Sequence, residues 1–109
     1  MEELNNPTEA TASVTGHKGE DGAIVVAISG ELDMSSVPSV RAELDPLVAN
    51  QESAITFDLA DLKFMDSSGI ALLIQIADRC GHANLRNTPA LIRRIIEATG
   101  VSEILRVEQ

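Results

Sequence analysis

Residues 23–30, AIVVAISG, constrain the fold more than any other stretch of this chain. Ile and Val stand at successive positions instead of every second one, the pattern of a strand covered on both faces in the middle of a sheet. TASVTGHK before it reads as a weaker strand, and GEDG between them, rich in Gly and Asp, reads as a turn. The two strands are therefore expected to pair antiparallel.

After this hairpin the hydrophobic period changes. From a serine N-cap at Ser35 or Ser36, the spacing of Val37, Val40, Leu44, Leu47 and Val48 marks one buried helical stripe. Pro38 falls in the first turn, but Pro46 removes an interior hydrogen bond, so a kink or early end is expected there. AITFDL alternates as a third strand, and FMDSSGIALLI follows it as a loop and a helix ending near Gly81. ANLRN reads as a short strand, and TPALIRRIIEATG as a helix with Thr88 as N-cap, Pro89 at its first position and Gly100 as its stop. SEILRVEQ adds a last short turn or strand. Strands alternating with helices after a hairpin predict an α/β domain. Its sheet is mixed but mostly parallel, with an N-terminal antiparallel hairpin and helices packed beside it.

A chain of 109 residues has room for one domain. We read residues 1–10 as a disordered tail and residues 11–109 as that domain. Its 44% hydrophobic content is aliphatic, with Phe57 and Phe64 as the only aromatics. Seventeen acids against eight bases give a net charge of -9, a field that repels nucleic acid and anionic lipid. The acidic, polar N-terminus does not resemble a secretory signal, and the longest nearly apolar run, residues 70–77, is too short to span a bilayer. The expectation is a soluble, cytoplasmic protein. Cys80, the single cysteine, reads as a helix-end packing residue, and Arg93 and Arg94 as a solvated helix face.

Asp66, Ser67 and Ser68 stand where the N–H groups of a helix start are unpaired and its dipole is positive. One of them can cap, but one would suffice. With Gly69 the remaining polar residues leave a low ledge that another protein can approach. A nucleophilic serine is disfavoured, because His17 and His82 lie far along the chain and the first glycine of a G-x-S-x-G elbow is missing. A receiver-like module phosphorylated on Asp66 is the alternative: Glu31 and Asp33 mimic its acidic pair, yet no lysine follows Lys63. A serine that is acted upon fits better, since phosphorylation there adds a dianion that a docked partner must desolvate. On a helical wheel Ile70, Leu73, Ile74 and Ala77 cluster, leaving Leu72 and Ile76 for either a neighbouring helix or a partner protein.

DLADLKFMDSSGIALLI, led by ISGELDMSSVP and followed by ATGVSEI, resembles the STAS domain, specifically the stand-alone bacterial anti-sigma-factor antagonists. The likeness runs from about residue 12 to residue 107. It implies a non-enzymatic partner switch: the unphosphorylated form binds an anti-sigma factor serine kinase and releases the sigma factor. Phosphorylation, mapped onto Ser67, inactivates it, and a PP2C-type phosphatase resets it. Asp66, Ser68 and Gly69 match the rest of the motif and are expected to face the kinase. Glu31, Asp33, Ser35, Ser36, Leu72 and Ile76 are expected as further partner contacts. The resemblance also implies a monomer when free and no cofactor, with ATP and magnesium belonging to the kinase. A non-phosphorylated STAS scaffold is the second alternative. Ala71 departs from a glycine common in the family.

Overall fold

The computed structural model describes residues 12–19, 22–49 and 54–108. The tail expected over residues 1–10 lies outside them, as do the two central residues of GEDG. Nine elements follow in the order β1 (Ala12–Lys18), β2 (Ile24–Leu32), α1 (Val37–Val48), β3 (Ile55–Asp58), β4 (Leu62–Met65), α2 (Ser67–Cys80), β5 (Ala83–Arg86), α3 (Ala90–Thr99) and β6 (Leu105–Val107). The strands form one sheet in the order β1-β2-β3-β5-β6, with β4 paired to β2 beyond the end of β3. Only β1 and β2 are antiparallel, in register from Ala12 opposite Gly30 to Lys18 opposite Ile24, and the other pairings are parallel. This is the expected mixed α/β sheet.

One contiguous apolar core joins the helices to one sheet face, through Val26, Ile28, Phe57 and Leu85 from the strands and Leu44, Leu73 and Ile96 from the helices. The other face carries the exposed Ser13, Thr15, His17, Arg86 and Arg106. The two-sided reading of β2 therefore holds only for its first half. Val25 is buried there, while Ala27 and Ser29 on the same side are half-buried, because no helix covers that face.

Several local expectations are corrected. Helix α1 runs two residues past Pro46, to Val48, instead of ending at it. The N-cap of α3 is Pro89, with Thr88 one position before the cap, while Gly100 ends it in the left-handed conformation. Leu72 and Ile76 are completely buried, so neither offers a partner contact. Helix α2 touches α1 as well as the sheet, so its buried arc, from Leu72 round to Ile70, is about 160° wide and takes in both. Among the described residues, no helix is long and apolar enough to cross a membrane.

Strand β4 was not anticipated as a separate element. The chain turns at residues 59–61, where Leu62 N–H donates to the Leu59 carbonyl and Gly30 N–H to that of Asp61, and then rejoins β2. The register shifts there: Gly30 pairs with Leu62 but Glu31 with Phe64, leaving Lys63 as the extra residue of a bulge. The bulge inverts the alternation. Leu62 and Met65 are buried, and Phe64 is turned out into solvent, 45% exposed.

Candidate functional site

Parallel pairing sends β2 and β4 to the same edge of the sheet, Leu32 beside Met65, so α1 and α2 start side by side. Each strand is followed by an aspartate that organises the next turn in the same way. Asp33 Oδ1 accepts from Ser35 N–H (3.0 Å), the Ser35 hydroxyl (2.7 Å) and Ser36 N–H (3.2 Å). Asp66 Oδ1 accepts from Ser68 N–H (2.9 Å), the Ser68 hydroxyl (2.6 Å) and Gly69 N–H (3.2 Å). Asp66 is the N-cap of α2, with the extended backbone such residues adopt.

The two carboxylates are ionised over a wide pH range for a common reason. The Ser68 hydroxyl, then the Gly69, Ser68 and Met34 N–H groups, hold the Asp66 carboxyl below its ordinary value against some desolvation. The Ser35 hydroxyl and the Ser36 and Ser35 N–H groups do the same for Asp33, although the negative charge of Asp66 opposes it.

The three polar residues thus divide their tasks. Asp66 caps the helix, and Ser68 braces the cap. Ser67, the first residue of α2, is exposed, and among the described residues its hydroxyl makes no hydrogen bond. His82 lies past the far end of α2, about 20 Å from its start, so no imidazole is brought to Ser67. Among the described residues, no three of His, Cys, Asp and Glu are grouped so as to hold a metal ion.

Two expected site residues sit differently from their sequence reading. Gly69 is buried and faces inward: a Cβ there would meet Met65 Cγ at 2.6 Å and the Leu32 carbonyl oxygen at 2.7 Å. Its smallness seats α2 on β2 and does not lower an outward ledge. Ser36 is also buried, its hydroxyl donating to the Glu31 carbonyl (2.7 Å) and accepting from Asp33 N–H (3.0 Å), so it stabilises the turn from within. Glu31 and Ser35 are exposed and Asp33 is half-buried, all on the β2–α1 side of Ser67. Sequence reasoning pointed to the 31–36 loop without singling out Met34, 77% exposed at the tip of the first turn. A lone apolar residue within a polar turn sequence, LDMSS, was the available signal.

The family model described as "Mlab, STAS domain" matches residues 15–106. The anti-sigma-B factor antagonist of Bacillus subtilis is 30% identical over 94 residues, covering 83% of this chain and 85% of that protein. The crystal structure of an anti-sigma factor antagonist from Mycobacterium paratuberculosis superposes with a TM-score of 0.75 at 27% identity, over 95% of this chain and 89% of that one. The anti-sigma factor antagonist SpoIIAA in its unphosphorylated form shares the fold, with a TM-score of 0.71 at 20% identity over 89% of each chain.

Proposed function

Because the chain belongs to the STAS-domain family of anti-sigma factor antagonists, we propose that it is a phosphorylation-gated switch whose acceptor is Ser67. In its unphosphorylated form it binds an anti-sigma factor that is itself a serine kinase, and the sigma factor held by that kinase is released. Transfer of a phosphoryl group from ATP to the Ser67 oxygen, with the hydroxyl proton lost, ends the interaction. A PP2C-type phosphatase restores it. The protein acts in the cytoplasm as substrate and ligand, not as an enzyme.

The carrying observation is the division of labour at the start of α2. Ser68 donates its proton to Asp66 at 2.6 Å, and Asp66 is committed to two backbone N–H groups, whereas Ser67 is exposed and unengaged. An incoming kinase has one hydroxyl to reach without dismantling the cap. Phosphate on Ser67 places roughly -1.5 to -2 charge beside Asp66 on an already acidic protein. The dianion remains in water, so the fold is preserved, but a partner must desolvate it to dock.

Incubation with ATP and each purified anti-sigma factor of the source bacterium, followed by peptide mass spectrometry, tests the assignment. Acid-stable phosphate on Ser67 is expected. Phosphate on Ser68, or an acid-labile aspartyl phosphate on Asp66, refutes it. Ser67→Ala is expected to retain binding to the kinase and Ser67→Asp to weaken it, and equal affinity of the two variants contradicts charge gating.

A further inference from the structure

Among the described residues, three large apolar side chains are exposed: Met34 at 77%, Leu91 at 58% and Phe64 at 45%. Leu91 is on α3, beyond β5. Met34 is on the turn next to that of Ser67, and Phe64 is in β4, three residues before Ser67. Met34 occupies in the 33–36 turn the position that Ser67 occupies in the 66–69 turn, since each follows an aspartate whose Oδ1 accepts from the N–H groups two and three residues on and from the hydroxyl two residues on. The turns extend from neighbouring parallel strands, joined by Asp66 N–H donating to the Leu32 carbonyl at 3.2 Å. Strand spacing therefore sets the paired residues from which they start, Leu32 and Met65, roughly 5 Å apart.

Folding alone does not account for this placement. A turn tip at a helix start ordinarily carries a polar residue or glycine, and Met34 rests on nothing that would bury it. Phe64 is turned outward by the β4 bulge next to Glu31. Around them are Glu31, Asp33, Asp61 and Asp66, with Lys63 as the cation of the segment.

We infer that Met34 is the apolar anchor by which the unphosphorylated protein docks on its anti-sigma factor kinase, with Phe64 as a secondary contact. This rests on the reading of Ser67 given above and deepens it. The complementary surface on the kinase is an apolar pocket wide enough for a flexible thioether chain and rimmed by basic side chains that answer the carboxylates. Such a pocket explains the gating by charge: the wall that dehydrates Met34 would also have to dehydrate a phosphate on the adjoining turn, which apolar atoms cannot compensate.

The test measures binding by calorimetry, using as probe the purified anti-sigma factor that phosphorylates the wild-type chain. Met34→Ser is expected to weaken binding about tenfold or more, the behaviour of a central anchor. Met34→Leu is expected to stay within about threefold of wild type, and Leu91→Ser, the exposed apolar control on α3, to be unchanged. Thermal melting by circular dichroism is expected to be the same for Met34→Ser and wild type, which excludes misfolding as the cause. If wild type is phosphorylated on Ser67 and binds, yet Met34→Ser binds equally well, the anchor is refuted while the reading of Ser67 stands. If no anti-sigma factor binds or phosphorylates the wild type, both fall together.

Discussion

Replacing Gly69 by alanine sets two well-known effects against each other. Intrinsic helix propensity favours alanine over glycine by up to about 1 kcal/mol. Against this, the new methyl would lie 2.7 Å from the Leu32 carbonyl oxygen, 2.6 Å from Met65 Cγ and 3.0 Å from Leu32 Cγ. Met65 is 1% exposed and has little room to yield, and the carbonyl oxygen belongs to the main chain of a paired strand. Relief requires lifting the start of α2 by some tenths of an ångström. That stretches the 3.2 Å hydrogen bond from Asp66 N–H to the same oxygen beyond useful length. Overpacking of this kind costs about 1–3 kcal/mol, and the weakened bond about 1 kcal/mol more. The net expectation is a loss of about 1–3 kcal/mol, or a melting temperature lower by roughly 5–15 °C for a domain this size.

Gly16→Ala is the matched control. Its Cβ would meet Leu47 Cδ1 at 2.9 Å, which is the far end of a half-buried side chain free to swing. Alanine in a strand gains about 0.5–1 kcal/mol over glycine, so Gly16→Ala is expected to be neutral or slightly stabilising. Far-UV circular dichroism is the suitable assay, because the chain has no Trp or Tyr to report by fluorescence. If Gly69→Ala melts at or above the wild-type temperature, α2 is not seated against the main chain of β2, and the account of how Ser67 is presented fails.

Three further outcomes are expected. Ser36→Ala removes a buried hydroxyl that bonds the Glu31 carbonyl and the Asp33 N–H, and urea unfolding should show a loss of about 1–3 kcal/mol with an unchanged slope; no loss would mean water replaces it. Asp66 has a lowered carboxyl pKa in the folded chain, so its stabilisation is complete above the unfolded-state value near 4 and disappears as pH falls through the folded value. Wild type should therefore lose stability on acidification more steeply than Asp66→Asn, and parallel acid limbs would contradict this. Cys80 is 6% exposed and burial raises its thiol pKa, so it should react with a disulfide reagent slowly in the native state and quickly in urea; fast native labelling would show that the end of α2 opens.

Hydrophobic period carried most of the architecture in the sequence. The run in β2, the stripes of α1 and α2, and the Pro and Gly at the ends of α3 are local signals, because each follows from how one element must present its own apolar side. The resemblance also pointed to Ser67. Other features depended on neighbours distant in sequence. The spacing of Leu72 and Ile76 left open whether a neighbouring helix or a partner protein covers them; both are buried within the domain, where α2 packs on α1 as well as on the sheet. Arg93, read with Arg94 as a solvated face, is half-buried, with its Nε buried and unpartnered.

The sequence alone determined that one α/β domain forms and that a helix begins at a run of Asp and Ser, since spacing and capping act within a few residues. Only the tertiary structure decided which hydroxyl stays free and that Gly69 faces inward. It also set the turn of Met34 next to that of Ser67 and turned Phe64 outward. These depend on the parallel pairing of β2 with β4 and on a one-residue bulge, and strand register is a relation between segments more than thirty residues apart. No single segment encodes that relation by itself.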